Sequence, residues 1–490
     1  MKKAIVVGSG IGGLATSIRL ACQGFQVTVF EANAYPGGKL SAFSLGKYRF
    51  DAGPSLFTMP HFVLELFELA GENPTEHFAY KKKEIACQYF WEDGVQLTAY
   101  GDRNKLVNEI EKQLKVPSDT VLTYLENAQK KYERTQSLFL EQSLHKLSTY
   151  LSKDTLEGIF HYRSFEIGKS LHEVNQKHLK EPHLVQMYDR YATYNGSSPF
   201  KTPGIMTLVQ HLEQHYGTFI PNKGMEDISQ SIYQLALRKG VRFHFNTTVS
   251  KIVIENKKAK GVVANDTVHD SDMVVSNMDI VPTYRKLLPN AKPPEKTLQQ
   301  ERSSSAVIFY WGIQKTFKGL DLHNIFFSNN YKEEFDAIFN QKKLYKDPTI
   351  YINITSKDVH SDAPKNCENW FVMINTPHDN GQNWEAEVKI LKQQVLEKMK
   401  RILGEDVAPF IEEEFIMTPP IIEQKTQSYK GALYGASSNN TMAAFLRHPN
   451  FSSSISNLYF CGGSVHPGGG IPLCLLSAKI VSDLVKKDIK

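Results

Sequence analysis

The chain has 490 residues, 41% hydrophobic and 22% charged, and 57 basic against 52 acidic side chains leave a net charge of +5. That length predicts two intertwined domains of ordinary globular composition, not one small core. So mild a basic excess excludes a nucleic-acid-binding signature but suits an anionic membrane surface wherever bases cluster; at Lys81-Lys82-Lys83 a solvated turn is the stronger reading.

The first element is a buried parallel strand at Ala4-Ile5-Val6-Val7, apolar throughout. Two lysines precede it, as in a signal peptide, but Gly8, Gly10 and Gly12 interrupt any apolar helix, and a strand–turn–helix reading accounts for the same residues. Leu14, Ile18 and Ala21 keep helical spacing, and Gly24 suits the position past the helix end. Val27-Thr28-Val29-Phe30 is the next strand, ending at Glu31. Pro36-Gly37-Gly38-Lys39 turns away, and Tyr48-Arg49-Phe50-Asp51-Ala52-Gly53-Pro54-Ser55 reads as a strand entering a loop. Tyr89–Val95 reads as a hairpin around Asp93-Gly94.

Residues 104–215 have helical patterning, with Val121, Leu125, Ala128 and Tyr132 on one face. Within them 138–171 is amphipathic, mixing Leu144, Leu147, Leu151, Phe160 and Phe165 with Lys146, Lys153, Arg163 and Lys169; such a face packs on protein or on lipid. Strands return at 241–245, Val249–Ile254 and Met273–Asn277, an excursion back into the nucleotide domain. Segments 305–311, 350–354 and 370–375 predict buried strands of a second sheet. A last helix begins at Pro472, with Leu476, Ile480 and Leu484 on its apolar face. The charge-free stretch 448–478 holds Pro467, Pro472 and a glycine run, so it predicts no membrane span. The cysteines, Cys22, Cys87, Cys367, Cys461 and Cys474, are scattered without a C-x-x-C pair, which fits a reducing cytosol and offers no zinc-ligand spacing.

Two glycine-rich turns carry the chemistry. Gly8, Gly10 and Gly13 follow a strand and open a helix: Gly8 permits the tight turn, Gly10 lets backbone approach a pyrophosphate, and Gly13 allows close helix–strand packing. The helix N-terminus supplies free N–H groups to the phosphates, and Glu31 can accept from an adenosine ribose. Gly10→Val is expected to abolish binding by filling the pyrophosphate space. FAD and NAD both use such a turn. Three further segments favour FAD: Pro36–Lys39, whose Lys39 can reach a phosphate; Asp51–Ser55; and 462–473, where Gly470-Ile471-Pro472 opens a helix able to stabilise negative charge on a reduced flavin.

These residues, with Tyr194-Asn195-Gly196-Ser197-Ser198-Pro199, Pro221-Asn222-Lys223-Gly224-Met225 and Gly463–Pro472, resemble the carotenoid desaturase family within the amine-oxidase-like flavoproteins. Lys223 stands where a glycine is common. Ser55–Pro60 and Gly37-Gly38-Lys39-Leu40 are most similar to the hydroxycarotenoid 3,4-desaturase branch. The resemblance implies a two-domain α/β fold: a discontinuous Rossmann-type FAD domain (1–75, 220–285 and 450–490), a substrate domain of mixed sheet and helices (76–103 and 286–449), and a helical membrane-access region (104–219). It implies FAD held by Gly8, Gly10, Ile11, Gly12, Gly13, Glu31, Ala32, Gly38, Lys39, Leu40, Gly53, Pro54, Ser55, Val249, Asn277, Gly462, Gly463, Gly470, Ile471 and Pro472.

The implied reaction inserts a C=C bond into an acyclic or hydroxylated carotenoid end by hydride transfer to flavin. It needs no metal and no strong base, so no catalytic residue is assigned; His466 beside Pro467 has a structural or a proton-transfer role. An apolar tunnel is expected along 305–311, 325–327 and 370–374. The setting implied is cytoplasmic and peripheral on the inner face of the cell membrane, with oxygen or a quinone as electron acceptor. A phytoene desaturase, a carotene cis–trans isomerase or a saturase on the same scaffold and a flavin-free prenyl-lipid escort remain alternatives, and nothing marks the aromatic cage of an amine oxidase.

Overall fold

The computed structural model describes residues 1–139, 165–440 and 446–488. The chain begins with strand β1 (Lys3–Val7), helix α1 (Ile11–Cys22) and strand β2 (Gln26–Phe30). A hairpin follows, β3 (Ile85–Phe90) and β4 (Gln96–Tyr100). Its connection is wider than a two-residue turn: Trp91 N donates to Val95 O, with Asp93-Gly94 inside the loop.

The helical stretch comprises α2 (Arg103–Leu114), α3 (Ser118–Phe139), α4 (Leu171–Leu179), α5 (Pro182–Asp189) and α6 (Leu208–Tyr216). Val121, Leu125, Ala128 and Tyr132 are all buried on α3. Of the amphipathic segment, Phe165 is buried and Lys169 exposed; Leu144, Lys146, Leu147, Leu151, Lys153, Phe160 and Arg163 lie outside the described residues.

Next come α7 (Glu226–Arg238), β5 (Arg242–His244), β6 (Val249–Glu255) and β7 (Met273–Ser276). The second half adds β8 (Ser305–Ile313), β9 (His323–Phe326), β10 (Ile350–Asn353), β11 (Glu368–Thr376), α8 (Trp384–Leu403), β12 (Ile411–Met417), β13 (Leu458–Phe460) and α9 (Ile471–Asp488).

Five parallel strands form one sheet in the order β13-β7-β1-β2-β5. Both of its faces are covered, which is why β1 carries no polar alternation. Ala4 and Val6 pack with Leu14 and Ile18 of α1 and Ile480 and Leu484 of α9, while Ile5 and Val7 pack with Val249, Ile252 and Val262. Each aliphatic side chain so buried contributes about 1.5–3 kcal/mol. Val249–Glu255 belongs not to this sheet but to a three-stranded antiparallel meander laid on it.

The second sheet has seven strands in the order β12-β8-β11-β10-β9-β3-β4, antiparallel except where β9 runs parallel to β3. One face, with Phe309, Trp311, Trp370 and Val372, packs on Val388, Leu391 and Met399 of α8. The opposite face turns toward α5 and α6. Among the described residues no helix is long and apolar enough to cross a membrane. Lys81-Lys82-Lys83 is no free basic patch: Lys81 and Lys83 pair with Asp358 at 2.9 and 2.7 Å, and Lys82 lies over the Phe219 ring.

Candidate functional site

The two glycine turns, at opposite ends of the sequence, touch in space. β1 delivers Gly8 at φ +94°, and Gly8 N donates to Phe30 O at 2.8 Å. A Cβ placed on Gly12 stands 3.1 Å from Gly462 Cα, one on Gly38 3.2 Å from Gly10 Cα, and one on Gly53 only 1.8 Å from Lys39 O. Asn277, at the end of β7, fills the point of convergence, and its Nδ2 donates to Cys461 O at 3.2 Å. The loop after Asp51 is pinned independently: the buried Asp51 carboxylate accepts from Met225 N and Glu226 N at 2.7 and 3.0 Å, capping α7.

These segments wall one end of a cavity of about 900 Å³, large for a small-molecule site. Gly8, Gly10, Ile11, Gly12, Glu31, Ala32, Gly38, Lys39, Leu40, Gly53, Pro54, Ser55, Val249, Asn277, Gly462, Gly463, Gly470, Ile471 and Pro472 all line it. Gly13 does not. Its Cβ would fall 2.1 Å from Gly8 O, so its place is in helix–strand packing, not on the wall. At Gly10 a Cβ first meets Asn277 Oδ1, at 2.6 Å, so a valine there collides with that amide before it fills cavity space. The predicted tunnel strands contribute alternate residues only: Ile308, Ile325, Phe371 and Met373 face the cavity, while Phe309, Phe326 and Val372 face α8. Met206, Leu208, Val209 and Leu212 form the opposing wall.

Glu31 is buried, and its oxygens accept from Ser9 N and Oγ at 2.7 and 2.8 Å and from Asn33 N and Nδ2 at 2.9 and 3.0 Å. Four donors fill its lone-pair positions. Lys39 Nζ donates to Leu433 O at 2.7 Å, and burial lowers its pKa against the pull of Asp279. Arg447 Nη1 donates to Tyr434 O at 2.6 Å and Gly463 O at 3.3 Å; burial, with Arg302 nearby, brings its pKa down to about 10. Among the described residues neither cation has a carboxylate within ion-pair distance, and the buried Arg447 Nε has no partner.

Buried positive charge with no carboxylate in direct contact among the described residues, the N-terminus of α9, and Gly470, where a Cβ meets no atom, together suit a flat, anionic dinucleotide. The residues present therefore fit FAD. His466 lines the same end; its main chain is held by N–H donation to His448 O at 3.0 Å and by Asn450 Nδ2 donating to its carbonyl at 2.8 Å.

Farther along the wall is a polar group with no sequence signal. Arg190 Nε donates to Tyr89 Oη at 2.6 Å, Nη1 to Tyr194 Oη at 2.8 Å and Nη2 to Glu213 at 3.2 Å. Tyr191 and Tyr194 donate to the same carboxylate at 3.1 and 2.5 Å. The guanidinium carbon lies 4.4 Å from the Tyr191 ring centroid, so an aromatic cage does exist here but is filled by the protein's own cation. A second chain runs from Ser55 Oγ to Tyr351 Oη to His323 Nδ1, each step 2.8 Å. Sequence reading missed Arg447, Arg190, Glu213, His323 and Tyr351. The one available signal was the alternation along β9 and β10, which puts His323 and Tyr351 on the cavity face.

A model of the flavin containing amine oxidoreductase family matches residues 11–486. The chain is 56% identical over 485 residues, 99% of both chains, to the 1-hydroxycarotenoid 3,4-desaturase of Flavobacterium sp. (strain P99-3). It is 32% identical over 494 residues, all of this chain and 99% of the other, to a 4,4'-diapolycopene oxygenase of Methylomonas sp.. Among solved structures, an oxidoreductase from Methanosarcina mazei superposes with a TM-score of 0.65 at 17% identity, covering 98% of this chain and 100% of that one, and so shares the fold.

Proposed function

The chain belongs to the flavin-containing amine oxidoreductase family, and on that premise we propose that it is an FAD-dependent carotenoid desaturase acting on an acyclic or hydroxylated carotenoid end. The observation that carries this reading is one continuous cavity with glycine backbone at one end, beside Lys39 and Arg447, which have no carboxylate in ion-pair contact among the described residues, and with aliphatic and aromatic side chains beyond. The 56% identity to a hydroxycarotenoid desaturase supports the substrate class.

The cofactor assignments from sequence stand as part of the proposal, Gly13 excepted as a packing residue. Gly8, Gly10 and the first turn of α1 hold the diphosphate. Glu31, at the end of β2, would accept from the ribose. Gly38, Gly53 and the 462–472 bend leave room for the ring. Residues 1–75, 220–285 and 450–490 form the cofactor domain, 76–103 and 286–449 the substrate domain, and 104–219 the access region.

Bound flavin supplies a two-electron acceptor for hydride. The chain's own residues do the rest: Ile308, Ile325, Phe371 and Met373 on one side and Leu208, Val209 and Leu212 on the other hold the polyene and exclude water. Lys39, Arg447 and the α9 N-terminus favour negative charge at the bends. Loss of hydride from a carbon beside a polyene leaves a delocalised cation with an acidic neighbouring C–H, so a weak base or water completes the step. The enzyme works in the cytoplasm, peripheral on the inner face of the cell membrane where its insoluble substrate resides, with oxygen or a quinone taking the electrons.

The test is FAD-loaded protein incubated in liposomes with phytoene, lycopene and 1'-hydroxy-γ-carotene. A red-shifted product lighter by two hydrogens is expected. Unchanged mass would indicate an isomerase instead, and no product from any of the three defeats the proposal.

A further inference from the structure

His323 is 4% exposed and lies on the cavity wall, yet among the described residues its Nε2 has no hydrogen-bond partner. The tautomer follows from its neighbours. Asn353 Nδ2, oriented by donation to Leu322 O at 3.0 Å, stands 3.3 Å from His323 Nδ1, and an amide NH₂ only donates. Tyr351 Oη, 2.8 Å from the same nitrogen, therefore donates to it as well, and Ser55 Oγ donates to Tyr351. Nδ1 is an acceptor, so the ring proton sits on Nε2. Burial holds the ring neutral, with a pKa of about 3, and Lys83 works in the same direction.

Among the described residues no side chain of this wall accepts from that donor. Arg190, Glu213 and Tyr194 are satisfied among themselves and by Tyr89 and Tyr191, while Thr193, Asn195, Thr349 and Asn375 stand on the lining among aliphatic and aromatic side chains. A buried donor left unpaired is unfavourable, and a ligand that brings an oxygen to it removes the penalty. The place matters too. Ser55 belongs to the loop of Gly53, whose backbone presses on Lys39 O at the glycine bends. Two hydrogen bonds, through Tyr351, thus connect the His323 ring to that loop.

We propose that the Nε2–H of His323, oriented by Tyr351 and Asn353, binds the hydroxyl oxygen of the carotenoid end group and selects hydroxylated over hydrocarbon ends. Tyr351 Oη retains a lone pair for the hydroxyl hydrogen. This rests on the carotenoid-desaturase reading and adds to it the residue that sets substrate choice.

The experiment compares kcat/KM for 1'-hydroxy-γ-carotene and for γ-carotene with the FAD-loaded wild type, His323→Leu and His323→Gln. Wild type should prefer the hydroxylated substrate by about tenfold to a hundredfold. His323→Leu should bring the ratio to within about threefold of unity, and His323→Gln, which keeps an N–H donor, should restore part of it. An unchanged ratio in His323→Leu, or equal loss on both substrates in both variants, overturns the assignment. If wild type turns over neither substrate, the desaturase reading fails by itself. The His323 assignment is then decided by carotenoid titration followed through flavin fluorescence: a hydroxyl preference lost in His323→Leu supports it, and equal affinities refute it.

Discussion

Gly13→Ala isolates the packing on which the whole site depends. Gly13 lies inside α1, where alanine is the better helix former by about 1 kcal/mol, so propensity alone predicts stabilisation. Against that, the new Cβ would stand 2.1 Å from Gly8 O, a backbone atom that cannot rotate away. Relieving the overlap moves the first turn of α1 by about 1 Å relative to β1, and overpacking of this kind is destabilising by about 1–3 kcal/mol or more. The same displacement shifts Gly10 and Gly12, so a weakening of FAD binding of about tenfold to a hundredfold is expected.

Two companions calibrate the result. At Gly12 a Cβ meets Asn277 Nδ2 at 2.8 Å, a side-chain end that can swing, and Gly462 Cα at 3.1 Å; its effect on flavin should be intermediate. At Gly24 nothing lies within 4 Å but φ is +87°, so alanine there adds only strain of about 1–2 kcal/mol. Flavin content by absorbance and thermal midpoint with and without added FAD read the series. The expected order of flavin loss is Gly13→Ala, then Gly12→Ala, with Gly24→Ala retaining its flavin. Full flavin content in Gly13→Ala with a midpoint no lower than that of Gly24→Ala would refute the packing argument.

The other perturbations test charge. Arg190→Met strands the buried Glu213 carboxylate and should destabilise by about 3–5 kcal/mol, whereas Arg190→Met with Glu213→Met removes both charges and should be milder; a double variant less stable than the single one by thermal midpoint would contradict this. Arg447→Met removes a cation that burial already disfavours, so the FAD-free midpoint should hold or rise while the increase on adding FAD shrinks; an undiminished increase argues against a cofactor role. Burial depresses His323 to about 3 and His211 and His378 to about 4. The folded protein then binds fewer protons than the unfolded chain, so their contribution is fully present above about pH 6.5 and is lost as pH falls through those values. The midpoint should drop from pH 7 to 4.5, less steeply in His323→Gln, and a flat profile in the wild type would be inconsistent with neutral buried rings.

The glycine bends were legible because their demand is on the backbone: a position that admits no Cβ shows as glycine whatever lies around it. Gly8, Gly38 and Gly53 thus pointed to one place before any contact was known. The second sheet was half legible. Its β8 and β11 strands are apolar on both faces, one for α8 and one for the cavity, so the run predicted a strand but hid which residues face a ligand. His323 and Arg447 were silent for a different reason. Their meaning lies in what they lack: an acceptor for one, a carboxylate for the other. An absent partner becomes visible only after chain folding has brought Tyr351 to Ser55 across 296 positions and Leu433 to Lys39 across 394. A residue marked by what folding leaves unsatisfied, such as His323, therefore carries no local pattern, whereas a bend that needs bare backbone, such as that of Gly53, shows in the sequence as glycine.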